Sequence, residues 1–217
     1  MGGRIIKVCG MREPENIRQL AMLDIDLMGF IFYPASSRYV LDDKECIDAI
    51  CRCGKRRVGV FVNETVENML NKAETYKLNY LQLHGNETPE VCNEVRQHGY
   101  SVIKVFSVAL EDDLKNAGDY VESSDYFLFD TKCSGYGGSG KRFDWSILDK
   151  YTGNLPFLLS GGLAPGCTAD IGRLTHPLFA GVDINSGFEL SPALKDVVKI
   201  QDFAAEVRHI WRGNNIV

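Results

Sequence analysis

At 217 residues, 45% hydrophobic and 24% charged, the chain is long enough to enclose one well-buried core and to complete a single α/β barrel. Its 24 Lys and Arg against 29 Asp and Glu leave a net charge of -5, which argues against a nucleic-acid surface, because that affinity comes from clustered basic residues. No apolar run reaches the roughly 18 residues of a membrane span. Seven cysteines, an odd and scattered number with no secretory segment before them, argue against a disulfide framework and point to a reducing cytoplasm. Cys51 and Cys53 lack the paired Cys-x-x-Cys or His spacing of a zinc site, so no metal is expected and the thiols read as buried or incidental.

The first strand is predicted within Arg4 to Gly10, where Ile5, Ile6 and Val8 are β-branched and Gly10 permits a sharp turn. Lys7 and Cys9 sit two apart, so they share one strand face. Helical periodicity covers Pro14 to Leu23, with Pro14 near the first turn, and Leu27 to Phe32 forms strand two ahead of a Pro- and Ser-rich loop holding Arg38. A helix from Asp42 to Cys51 ends before Lys55-Arg56-Arg57, which reads as a solvated helix cap. Strand three is Arg57 to Val62, the next helix runs from Asn63 or Glu64 to Tyr76, and strand four is Tyr80 to Leu83, stopping at His84-Gly85. Pro89 to Gln97 is helical and Gly99 ends it.

Val102 to Phe106 is strand five, a weaker helix surrounds Leu110 to Ala117, and Tyr126 to Phe129 is strand six, ending on Asp130. Thr131 to Arg142, rich in Gly and Ser, is expected to be a mobile lid over the strand ends. Phe143-Asp144-Trp145 opens the sixth helix, Pro156 to Leu159 is strand seven, and Pro165 is expected to begin a helix. Phe179 to Ile184 is strand eight and Val197 to Ile210 a closing helix. Strands and helices alternating about every 25 residues predict one (β/α)8 barrel domain over residues 1–217, with an open doubly wound sheet as the alternative.

In such a barrel the active site lies at the C-terminal strand ends, which makes Cys9, Arg38, His84, Asp130 and Asp183 the candidates. Gly161-Gly162 after strand seven and Asn185-Ser186-Gly187 after strand eight are expected to bind phosphate, because glycine lets backbone N–H groups approach an anion closely. The alternative is that both are only tight turns. Cys9 alone is compatible with a small buried hydrophobe, and His84 with a hydrogen-bonded core residue. Arg38 is either a surface residue or a fork for a substrate carboxylate. Lys7 and Asp183 are expected to pair beneath the site as supporting structure. Gly135-Tyr136-Gly137-Gly138-Ser139-Gly140 matches a dinucleotide fingerprint, but it does not directly follow a strand and reads as flexible loop.

Taken together, Lys7-Val8-Cys9-Gly10, Gly29-Phe30-Ile31-Phe32 with Ser37-Arg38-Tyr39-Val40, Leu81-Gln82-Leu83-His84-Gly85, Gly137-Gly138-Ser139-Gly140 with Phe143-Asp144-Trp145, Ser160-Gly161-Gly162-Leu163 and Gly181-Val182-Asp183 resemble the phosphoribosylanthranilate isomerase family, in order over nearly the whole chain. The resemblance implies a (β/α) barrel of tryptophan biosynthesis that needs no metal or organic cofactor. Its partner would be a small phosphorylated substrate, with the protein a monomer or homodimer. Ser37 departs from the family, in which many members carry proline before the arginine, and this bears on the rigidity of that loop.

The implied reaction is an Amadori rearrangement of N-(5-phosphoribosyl)anthranilate to its 1-deoxyribulose 5-phosphate isomer, using one acid and one base. By resemblance Asp130 is the general acid, Cys9 the general base and Arg38 the partner of the anthranilate carboxylate. The turns at Gly161-Gly162 and Asn185-Ser186 match the phosphate site. Such a base needs a thiol pKa lowered from about 8.5 or must work with a minor ionised fraction, and the acid needs a raised one. The rivals are the related isomerase of histidine biosynthesis, whose two aspartates speak against Cys9, a bifunctional enzyme that accepts both substrates, and a barrel that binds a phosphorylated ligand without turnover.

Overall fold

Short runs of Val, Ile, Leu and Phe that are apolar on both faces must be covered on both. In the computed structural model eight of them close into a parallel barrel in sequence order. The structure describes residues 3–131 and 144–213. The barrel strands are β1 (Ile5–Val8), β2 (Leu27–Ile31), β3 (Arg56–Phe61), β4 (Tyr80–Leu83), β5 (Ser101–Val108), β6 (Tyr126–Thr131), β7 (Phe157–Leu159) and β8 (Phe179–Ile184). The helices are α1 (Pro14–Ala21), α2 (Lys44–Arg52), α3 (Val66–Thr75), α4 (Pro89–Gln97), α5 (Thr168–Gly172) and α6 (Val197–Gly213).

The local chemistry that starts the helices is visible. Pro14 and Pro89 stand in the first turns of α1 and α4, where a backbone N–H has no helical acceptor. Asp43 caps α2 by accepting from the Cys46 N–H at 2.8 Å, and Thr65 caps α3 through Asn68. The outward strand residues meet the helices in one large core that includes Ile17 and Leu20 of α1, Val95 of α4 and Phe203 and Trp211 of α6. The bore holds a separate, smaller apolar cluster built on Leu27, Val58, Ile103, Val105, Leu128 and Leu158. That plug closes the lower part of the barrel and leaves chemistry to its C-terminal mouth.

Several elements differ from the sequence expectation. The segments predicted as helices near Leu110 and after Phe143 are 3-10 helices, Glu111–Ser123 and Trp145–Lys150. In the first, Gly118 and the aspartates at 112, 113 and 119 weaken the α form; Asp113 turns back to accept from the N–H groups of Ala109 and Leu110. Pro165 does not begin a helix: Gly166 follows at φ +90° and α5 starts at Thr168. Lys55-Arg56-Arg57 is no helix cap either, since Arg56 and Arg57 open β3. Lys55 donates to Leu23 O at 2.8 Å and Arg57 to Lys77 O at 2.6 Å, so the run ties chain segments together at the N-terminal face. A hairpin not expected from sequence, β9 (Glu189–Ser191) and β10 (Leu194–Lys195), follows a 3-10 turn at Ser186–Phe188.

No described helix is long and apolar enough to cross a membrane, and the described residues hold no cluster able to bind a metal. The six described cysteines form no disulfide with one another; Cys51 and Cys53 lie near the carbonyls of Thr75 and Lys55 respectively. The expected 131–142 lid and the fingerprint-like glycine run lie outside the described residues, apart from Thr131, which ends β6.

Barrel closure rests on β8 lying against β1, with Ile5 opposite Gly181 and Lys7 opposite Asp183. Gly181 has φ +149°, and a Cβ there would stand 2.0 Å from Ile5 O. Gly181→Ala is therefore expected to lower stability by about 2–4 kcal/mol, read as a fall in the urea midpoint at unchanged m-value.

Candidate active site

Cys9 follows β1 directly, and its backbone N–H donates to Ile184 O at 2.9 Å, which fixes it to β8. Two residues earlier on the same face, Lys7 donates through Nζ to Asp183 Oδ2 at 2.8 Å, with Lys7 wholly buried and Asp183 nearly so. The pair expected from the sequence is thus present. A Cβ on Gly29 would stand 2.7 Å from Cys9 Sγ and 3.1 Å from Lys7 Nζ, so the absent side chain on β2 is what makes room for both groups. Burial pushes the Cys9 thiol above its ordinary value, and the neighbouring Lys7 ammonium draws it back only in part. Burial also works against the Lys7 charge, but Asp183 and Cys9 outweigh it and hold the ammonium form. The second carboxylate oxygen, Asp183 Oδ1, is buried without a partner among the described residues.

Asp130 ends the apolar run of β6. Its Oδ1 accepts from the Thr131 N–H at 2.9 Å, and its Oδ2 lies 3.6 Å from His84 Nε2. Both side chains are largely but not fully buried, at 11% and 18% exposed, so they face a mouth that a ligand can enter. His84 is therefore not a core residue. The turn that carries it is clamped from behind: Glu87 accepts from the N–H groups of Asn63 and Gly85, while buried Lys104 donates to Glu87, Leu83 O and Gly85 O.

The loop holding Arg38 is fixed by its own hydrogen bonds despite serine at 37. Ser36 N–H donates to Tyr33 O, Tyr39 N–H to Ser36 O and Arg38 N–H to Ser36 Oγ. The guanidinium forks onto Glu189, Nε to Oε1 at 2.8 Å and Nη2 to Oε2 at 2.7 Å. Glu189 also accepts from Lys195 Nζ at 2.7 Å, and Lys195 donates to Asn185 Oδ1 at 2.6 Å. A Cβ on Gly10, at φ +75°, would meet Arg38 Cδ at 2.6 Å and Asn185 Oδ1 at 2.8 Å, so both groups lie against the residue next to Cys9.

Gly161 and Gly162 turn the chain after β7 at φ +84° and +68°, and Gly161 packs so tightly on Thr131 that a Cβ would stand 2.2 Å from its Oγ1. Asn185 and Ser186 follow β8 on the adjacent strand. The expected candidates thus meet at one face of the barrel. Sequence reasoning missed Glu87, Lys104, Glu189 and Lys195. Lys104 carried a signal, since a lysine inside the apolar run Val102-Ile103-Lys104-Val105-Phe106 requires a buried acid partner. The Ser191-Pro192-Ala193 break between Leu190 and Leu194 likewise marked the hairpin. Chemically the mouth offers a thiol beside an ammonium, a carboxyl beside an imidazole, and a guanidinium with one edge committed.

Comparison with known proteins points to one family. The family model for N-(5'phosphoribosyl)anthranilate (PRA) isomerase matches residues 6–206. The N-(5'-phosphoribosyl)anthranilate isomerase of Parabacteroides distasonis is 53% identical over 208 residues, 94% of each chain. Monomers generated from the dimeric phosphoribosylanthranilate isomerase of Thermotoga maritima share the fold at a TM-score of 0.78 and 32% identity, over 95% of this chain and 99% of that one. A phosphoribosylanthranilate isomerase in complex with reduced 1-(o-carboxyphenylamino)-1-deoxyribulose 5-phosphate gives 0.77 and 31% over the same shares.

With burial outweighing Lys7 at Cys9, thiolate absorbance in the wild type minus Cys9→Ala difference spectrum should appear only above the ordinary thiol range of about pH 8.5. Full thiolate signal at neutral pH would contradict that balance.

Proposed function

The chain belongs to the N-(5'-phosphoribosyl)anthranilate isomerase family, and on that premise we propose that Cys9 and Asp130 carry out the Amadori rearrangement of phosphoribosylanthranilate in tryptophan biosynthesis. The observation that carries the assignment is their placement. They stand at the same end of the barrel, Cys9 directly after β1 and Asp130 on β6, with Asp183 of β8 on the wall between them and its Oδ1 without a partner among the described residues.

The steps follow from the residue types. Asp130 in its protonated form gives its proton to the ribose ring oxygen as the C1–O bond breaks, and the nitrogen lone pair forms the C=N bond of an open-chain Schiff base. The Cys9 thiolate takes the proton from C2; that electron pair becomes the C1=C2 bond of an enolamine, and the C=N electrons return to nitrogen. Tautomerisation to the C2 ketone delivers a proton to C1 and completes the isomer. Each step moves protons within one substrate.

Lys7 supports the base, because an ammonium beside a buried thiol favours the thiolate form. Asp183 Oδ1 is oriented by Lys7 to accept from a substrate hydroxyl or amine. His84 lines the substrate beside Asp130. Arg38 receives the anthranilate carboxylate, and the turns at Gly161-Gly162 and Asn185-Ser186 receive the phosphate, so both ends are fixed while C1 and C2 react. The working partner is a small phosphorylated molecule, and the reaction belongs in the cytoplasm, where the free cysteines stay reduced.

Decay of anthranilate-type fluorescence, with the substrate generated in place, tests the assignment. Cys9→Ala and Asp130→Asn should each lower kcat by about 10²- to 10⁴-fold, whereas near-wild-type kcat in either variant removes that residue from the acid–base pair. Because the reaction needs Asp130 protonated and Cys9 ionised together, kcat/KM should trace a bell in pH whose basic limb, set by the raised Cys9 thiol, falls only above about pH 8.5.

A further inference from the structure

Arg38 does not stand alone. Its Nε and Nη2 edge is committed to Glu189 in a two-point fork, a geometry that fixes the plane of the guanidinium as well as its position. Nη1 takes no part in that fork, and no hydrogen bond engages it among the described residues. Glu189 comes from β9, and a carboxylate alone would cancel the arginine's charge. Lys195 of β10, fully buried, donates to the same Glu189 oxygen at 2.7 Å. With Lys195 protonated the three side chains together carry one positive charge; burial works against that form and the contact with Glu189 favours it.

Lys195 is itself held in place. Its backbone N–H donates to Asn16 Oδ1 at 2.8 Å, and its backbone carbonyl accepts from Asn16 Nδ2 at 3.0 Å, which ties the hairpin to α1. Its third contact is Asn185 Oδ1 at 2.6 Å, on the turn after β8. The bracket therefore reaches from the guanidinium to the turn assigned to phosphate, and both ends of it rest against Gly10.

From these contacts we infer that Glu189 and Lys195 are positioning residues that set specificity for a substrate bearing an aromatic carboxylate: Glu189 aims Arg38, and Lys195 offsets Glu189 so that Arg38 keeps its net charge. This rests on Arg38 being the carboxylate fork. Glu189 occupies the Nε and Nη2 edge and leaves Nη1 outside the fork.

The test compares binding of two ligands, reduced 1-(o-carboxyphenylamino)-1-deoxyribulose 5-phosphate and its counterpart lacking the carboxyl group. Their affinity ratio isolates the carboxylate. Wild type should prefer the carboxylated ligand by tenfold or more, and Arg38→Ala should abolish the preference; if it does not, the reading of Arg38 itself fails. With Arg38 upheld, Glu189→Gln should cut the preference about tenfold and leave the carboxyl-free ligand within about threefold, and Lys195→Met should cut the preference likewise while also weakening both ligands through the lost Asn185 contact. An unchanged or increased preference in Glu189→Gln, or equal weakening of both ligands, would overturn the inference. Should Lys195→Met fail to fold, Glu189→Gln, which keeps the side chain's shape, decides alone.

Discussion

A lysine and an aspartate joined in the barrel wall, away from water, are the constraint on which the site depends. Lys7 and Asp183 sit opposite each other where β1 meets β8, the seam that closes the barrel. Two charges removed from water cost several kcal/mol each, and their attraction offsets this only when the geometry is good. The pair is therefore weak as a source of stability and strong as a constraint. With Lys7 held by Asp183, its ammonium stays beside Cys9; without it, burial would push the thiol up with only the weaker pull of Lys195 against it. Gly29 completes the arrangement by leaving space for the sulfur and the ammonium.

The same device appears twice more. Lys104 with Glu87 holds the turn that presents His84, and Lys195 with Glu189 holds Arg38. In each case a buried lysine neutralises a carboxylate whose remaining acceptor capacity organises a loop or a functional side chain. Glu87 takes backbone N–H groups, Glu189 takes a guanidinium, and Asp183 keeps one oxygen without a partner among the described residues. Loop residues acquire fixed geometry from partners on neighbouring strands and a hairpin, which lowers the reorganisation needed when the substrate reacts.

Charge is distributed accordingly between the two ends of the barrel. At the N-terminal face, Lys55 and Arg57 bond backbone carbonyls of neighbouring loops, which serves the fold. At the C-terminal face, charged groups are paired in ways that leave one edge or one oxygen available. Between them the apolar plug around Leu128 and Leu158 excludes water from the bore and lends the electrostatics above it a low-dielectric floor.

The sequence by itself determined the alternation of strands and helices, the barrel, and the identity of the mouth residues, because these follow from period, from turn chemistry and from where each apolar run stops. Strands four and eight and helix α4 matched residue for residue, since His84-Gly85, Asn185 and Gly99 punctuate them clearly. It did not foresee the 3-10 segments, where glycine and aspartate spoil the α form, or the start of α5, because a proline marks a turn as readily as a helix start. Only the tertiary structure decided who partners whom. Asp183 with Lys7 was legible because adjacent closing strands must bring them together. Arg38 with Glu189 and Lys195 was not, because a loop after the second strand and a hairpin after the eighth are 151 residues apart in the chain and meet only once the barrel has closed.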